Sequence, residues 1–161
     1  MINGVIEITD ILMRWMPEDY LIVAGMDTST LIRLFEGKWG SSEFKVYQNL
    51  FKIHLCPTVY KEFFNYQNLK HPVPIARKEQ FLRLLGCEID YPDSLENNST
   101  DMPPDQKIIT EFAQQHIILI ITDNVQHFEE YARKFSEIWI LDGNKLGAIL
   151  KQGMFLLPTV I

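Results

Sequence analysis

Unbroken apolar runs of strand length, each followed by a stretch of helical periodicity, restrict the fold of this chain more than any other feature. LIVAGM (21–26) and IILII (117–121) carry no polar side chain. A strand apolar on both faces belongs inside a sheet that helices cover on both sides. KIHLC (52–56), CEIDY (87–91) and EIWIL (137–141) are briefer strand candidates, and MFLLPTV (154–160) is a last short one.

Helical patterns separate these runs. Asp27-Thr28-Ser29-Thr30 offers capping side chains before LIRLFEG, which Gly37 ends. Phe44, Val46, Tyr47, Leu50 and Phe51 give 42–51 an apolar helical face. Pro57 suits the first turn of a helix reaching about Leu69, and IARKEQFLRLL is closed by Gly86. Asp105 opens QKIITEFAQQH, and VQHFEEYARKF follows the 117–121 run. Strands alternating with helices predict an α/β fold, three layers deep, around a mostly parallel sheet. The polar, proline-bearing stretch 92–104 reads as a long loop. Residues 5–16 place Ile6, Ile8, Ile11, Leu12, Trp15 and Met16 on one helical face ended by Pro17, so 1–19 is expected to be an N-terminal helical extension.

With 161 residues, a single domain over 1–161 is expected. The ten Phe, six Tyr and three Trp are enough to fill its core. A net charge of −6 argues against a general polyanion-binding surface, though an acidic active site is compatible with it. Lys61, Lys70, Arg77, Lys78 and Arg83 read as a solvated helical face rather than a rim for RNA. Cys56 and Cys87 read as small buried apolar residues of a reducing compartment, since two scattered cysteines make neither a disulfide framework nor a zinc site. The acidic N-terminus is no secretory signal, and no apolar run nears the roughly 18–20 residues that span a membrane. A cytoplasmic protein without a membrane segment is expected. The four histidines lack metal-ligand spacing, and neither a G-x-S-x-G elbow nor a glycine-rich phosphate loop occurs.

The chemistry-bearing pattern is acidic. Asp27 ends the 21–26 run and Asp123 follows 117–121 after one residue, and groups at the carboxyl ends of parallel strands collect at functional sites. Glu62 and Asp105 lie on the intervening helices. Each acid has a structural explanation: Asp27 and Asp105 as helix caps, Glu62 as a solvated helix position, Asp123 as turn chemistry. Together they are the oxygen-rich set that a hard divalent cation uses, whereas bare carboxylates brought together repel. Thr28, Ser29 and Thr122 stand beside them as hydroxyls able to cap a helix or orient a carboxylate.

LIVAGMDTSTLIRLF resembles the opening of PIN-domain proteins, in which an apolar strand runs into Asp-Thr-Ser and an apolar helix. CPTVYKEFFN is similar to the family's Glu-bearing helix after a short strand. DQKIITEFAQQHIILIITDN is similar to its third signature, an Asp opening a helix before a strand that ends in Thr and acids. The three segments keep family order over residues 20–140, with spacings that fit small VapC-type toxins. The resemblance implies a PIN-like α/β/α sandwich and a metal-dependent ribonuclease acting on RNA. It implies Asp27, Glu62, Asp105 and Asp123 as catalytic acids holding Mg²⁺ or Mn²⁺, supported by Thr28, Ser29, Thr122 and Asn124. The family's Thr-x-Asp reads here Thr122-Asp123-Asn124, so either Asp123 is the fourth acid or Asn124 takes its place. A toxin role, a small antitoxin protein as partner and a homodimer are further expectations. The aromatic helices at 44–51 and 59–66 are expected to be core first, and are the candidates for such interfaces. An alternative is a catalytically weak or inactive PIN-like module that binds RNA or protein, which Asn124 and the acidity favour. A receiver-like phosphoacceptor ranks behind, lacking paired acids at its first strand and a late-strand Lys.

Overall fold

The computed structural model describes residues 5–6, 21–67, 73–90, 102–135 and 137–151. Their strands are β1 (Val5–Ile6), β2 (Ile22–Met26), β3 (Phe51–Leu55), β4 (Glu88–Ile89), β5 (Leu119–Thr122) and β6 (Trp139–Asp142). They form one sheet in the order β1-β6-β5-β2-β3-β4, with every neighbouring pair parallel. The described helices are α1 (Thr28–Glu36), α2 (Ser42–Leu50), α3 (Pro57–Asn65), α4 (Ile75–Leu85), α5 (Pro104–Gln114), α6 (Val125–Ala132) and α7 (Gly143–Lys151). Helix α3 packs against α1 and α5, and α5 against α6, while α2 packs against α4 and α7. The result is the three-layer α/β/α sandwich expected from the alternation of apolar runs and helical patterns. None of the described helices is long and apolar enough to cross a membrane.

The central strands justify the reading of the apolar runs. Ala24, Met26, Leu119, Ile120 and Ile121 are wholly enclosed, so the carboxyl-terminal halves of both runs are buried on both faces of the sheet, whereas Leu21, Val23 and Ile118 at their beginnings are exposed. From β2 the chain moves outward through β3 to β4. It then returns to β5 on the other side of β2 and moves outward to β6. Winding therefore reverses between β2 and β5, and the crevice outside the carboxyl ends of two such strands is where open parallel sheets bind ligands.

Two packing contacts set the position of the elements around that crevice. A Cβ built on Gly25 of β2 would lie 2.6 Å from the Phe112 ring, so only a glycine lets α5 lie this close to the sheet. The carboxylate of Glu111, next along α5, accepts from the Thr58 backbone N–H at 2.8 Å and from the Thr58 hydroxyl at 2.7 Å. It thus serves the N-terminus of α3, where Cys56 offers no side-chain cap. Phe35, Phe63 and Phe81, from α1, α3 and α4, meet in edge-on or tilted pairs with centroids 5.2–5.8 Å apart.

Several expectations are corrected. Val5 and Ile6 are not the start of a helix: they pair in parallel with Ile140 and Leu141, because β6 offers an open edge. The rest of that expected extension, the 154–160 strand, Lys70 and most of the 92–104 loop lie outside the described residues. Helix α3 stops at Asn65 rather than near Leu69, as Tyr66 turns extended. Lys78 is not on a solvated face. It is 1% exposed, and its ammonium donates to the carbonyls of Phe64 and Tyr66, closing the end of α3. Helix α7 was not expected from a segment with glycines at 143 and 147.

Gly25→Ala is expected to destabilise the protein by about 1–3 kcal/mol, the usual cost of overpacking. Chemical denaturation measures this, and an unchanged midpoint would show that α5 does not rest on β2 as described.

Candidate functional site

The reversal between β2 and β5 brings the first acid into place. The Asp27 backbone N–H donates to the Ile121 carbonyl at 2.8 Å, extending the ladder by one residue beyond β2. Asp27 is then the N-cap of α1, its Oδ2 accepting weakly from the Ser29 N–H at 3.4 Å. Two hydroxyls hold the same oxygen more tightly, Ser29 at 2.6 Å and Thr122, from the end of β5, at 2.9 Å. Capping and ligand orientation therefore coexist in one carboxylate. Asp27 is 3% exposed. Burial pushes its carboxyl above the usual range; the Ser29 and Thr122 hydrogen bonds oppose this, and the Asp105 charge adds to it.

Glu62 reaches the same place from α3, where its Oε1 accepts from the Thr28 hydroxyl at 2.5 Å. Asp105 sits in the first turn of α5, a favourable position for an anion, with His127 Nδ1 3.5 Å from its Oδ2. Asp27, Thr28, Ser29, Glu62, Asp105 and Asn124 line one open cleft of about 490 Å³, completed by Ile32, Asn65 and Tyr66. The Tyr66 hydroxyl donates to Glu36 at the rim. Thr122, fully buried, supports the site from beneath.

Asp123 is placed elsewhere. Its Oδ2 accepts from Arg33 Nε at 2.5 Å, and its Oδ1 from Arg33 Nη2 at 3.1 Å and from the Thr30 hydroxyl at 2.9 Å. The same guanidinium forms a fork with Glu43, Nη1 to Oε1 at 2.6 Å and Nη2 to Oε2 at 2.8 Å. Of the two alternatives for the fourth position, the structure puts Asn124 on the cleft wall and Asp123 behind it.

Sequence reasoning passed over Arg33, Glu43, Asn65, Tyr66 and His127. Arg33 and Glu43 look like ordinary charges of amphipathic helices, ten residues apart in sequence. The one usable signal was the Gly143/Gly147 pair. A Cβ on Gly143 would lie 2.5 Å from Asp123 Oδ1, and one on Gly147 2.8 Å from Glu43 Oε1. Glycines spaced one helical turn apart mark a face against which something packs closely.

The donors converging on the cleft are carboxylate and amide oxygens, the chemistry suited to Mg²⁺ or Mn²⁺ rather than to a softer metal. Among the described residues, no three His, Cys, Asp or Glu side chains stand close enough to share one ion. An ion there would keep much of its water, as Mg²⁺ usually does with one or two carboxylates. Compared with known proteins, the chain matches no family model, no curated protein and no solved structure.

Because the folded protein binds the Asp27 proton more tightly than the unfolded chain does, stability is lost as pH rises from the ordinary carboxyl value through the raised one. Above the ordinary carboxyl value the buried Asp27 therefore costs stability. Asp27→Asn in metal-free buffer at pH 7 is expected to gain about 1 kcal/mol, in the range typical of relieved active-site strain. A lower melting temperature in thermal denaturation would contradict this.

Proposed function

We propose that this chain is a metal-dependent ribonuclease that hydrolyses RNA phosphodiester bonds with the acids of this cleft. The observation that carries the reading is the convergence of Asp27, Glu62 and Asp105, from three separate stretches of sequence, on one open cleft where the winding of the parallel sheet reverses. The resemblance of the surrounding segments to PIN-domain signatures supports it.

In this reading Asp27, Glu62, Asp105 and the Asn124 amide line the place where Mg²⁺ or Mn²⁺ would be held, by one or two carboxylates directly and by the others through its bound water; the ion would neutralise charge at the phosphate and acidify water. The chain's own residues prepare the site. Ser29 and Thr122 fix one oxygen of Asp27, and Thr28 fixes one of Glu62, so the carboxylates are oriented before substrate arrives. The buried Asp27 and the neighbouring Asp105 repel each other when both are ionised, and a cation removes that cost. The same proposal includes a toxin role in the cytoplasm, a small antitoxin protein as inhibitor and a homodimer; these parts rest on the resemblance.

One observation favours a second reading, a catalytically inactive PIN-like module that binds RNA or protein. It is the lack, among the described residues, of three ligands near enough to share an ion. Calorimetric titration with Mn²⁺ separates the two, since the module takes up none at millimolar concentration.

Cleavage of RNA oligonucleotides is expected to require Mg²⁺ or Mn²⁺ and to stop with EDTA. Asp27→Asn, Glu62→Gln and Asp105→Asn should each lower kcat/KM on the order of 10²-fold. Full activity in Asp27→Asn and Asp105→Asn would sink the site assignment. Since the proton on Asp27 competes with the cation, activity should fall on acidification at a pH above the ordinary carboxyl range of about 4.

A further inference from the structure

Arg33 lies behind the cleft and is not among its lining residues, yet it reaches Asp123, Glu43 and the Gly143 carbonyl around the Asp123–Asn124 turn. We propose that Arg33 is a positioning residue: by engaging both oxygens of Asp123 it turns that carboxylate away from the cleft and presents Asn124 on the cleft wall in its place. The positioning does not depend on the hydrolytic reading above; only its effect on cleavage does.

Asp123 is committed on every side. Arg33 takes Oδ2 at 2.5 Å and shares Oδ1 with the Thr30 hydroxyl. Arg33 also donates to the Gly143 carbonyl at 3.2 Å, and the Asn144 amide donates to the Asp123 carbonyl at 3.3 Å. Moving the Asp123 carboxylate into the cleft would leave Thr30 and part of the guanidinium without acceptors in a mostly enclosed place. Asp123 is 9% exposed in its side chain.

The turn is tied to the cleft from its other side. The Asp123 N–H donates to the Ser29 hydroxyl at 3.2 Å, and that hydroxyl donates to Asp27 Oδ2. The Asn124 N–H donates to the Thr122 hydroxyl at 3.0 Å, which donates to the same oxygen. The turn is therefore strung between Arg33 behind and Asp27 in front, and losing one anchor releases the other.

Mn²⁺ uptake, followed by calorimetry, tests whether Asp123 stands outside the cleft. Asp27→Asn should lose the uptake, and Asp123→Asn should weaken it no more than roughly tenfold, as expected of indirect support. Loss in Asp123→Asn as complete as in Asp27→Asn would overturn the proposal. Amide resonances test the positioning without metal. Replacing Arg33→Met in a Glu43→Gln background, which avoids stranding two charges, should displace the Asp123 and Asn124 signals relative to Glu43→Gln alone; unmoved signals overturn it. Should that pair of changes not fold, the displacement is read in Asp123→Asn. If wild type binds no Mn²⁺, the hydrolytic reading falls and the amide signals alone decide the positioning. In cleavage, Arg33→Met is expected to lose roughly 10²-fold in kcat at unchanged KM, the mark of misplaced rather than missing groups.

Discussion

The Arg33 guanidinium joins parts of the chain that the sheet alone leaves independent. It bridges α1, which carries it, to Glu43 of α2, to Asp123 after β5 and to the first residue of α7. Bringing such charges out of water costs several kcal/mol per ion, and mutual attraction repays this only with good geometry. Here the geometry is forked on both carboxylates, and Arg33 keeps about a third of its surface in solvent, so the desolvation cost is partial. An apolar substitute could fill the same volume, but it would not dictate which way the turn after β5 faces. The network's contribution is orientation more than stability.

That orientation matters because the cleft is built from groups that repel. Asp27 is buried, holds its proton more tightly than an ordinary carboxyl and feels the Asp105 charge. Among the described residues, no arginine or lysine lines the cleft beside it. Hydroxyl donors from Ser29, Thr122 and Thr28 relieve part of the cost but supply no positive charge. Arg33 is engaged by Asp123 and Glu43 on the far side of the turn. The front of the site is left acidic and the back is neutralised.

Much of this was legible in the sequence, for a physical reason. A parallel strand buried on both faces must be apolar, so β2 and β5 declared themselves, and the residues at or just past their ends, Thr122 and Asp27, followed. Glu62 and Asp105 were legible because their helices begin at prolines, which fixes where the first turns lie. What could not be read were pairings across space. Arg33 and Glu43 carry no local mark of their partnership, and Lys78 looks solvated until the end of α3 is placed over it. Val5–Ile6 is a strand only because β6 accepts it, and two residues hold no period. The Asp123-Asn124 ambiguity is of the same kind: adjacent residues project to opposite sides of a turn, and only the position of Arg33 decides which.

The contact between Gly25 and Phe112 has a consequence for the acids at either end of it. Gly25 lies two residues before Asp27, and Phe112 lies two turns along α5 from Asp105. The thickness of one phenyl ring, resting on bare backbone, thus acts as a spacer between the two carboxylates. Because the spacer is apolar and fully enclosed, neither salt nor protons change its dimensions. The helix cannot drift outward, and so part the two carboxylates, without opening the core.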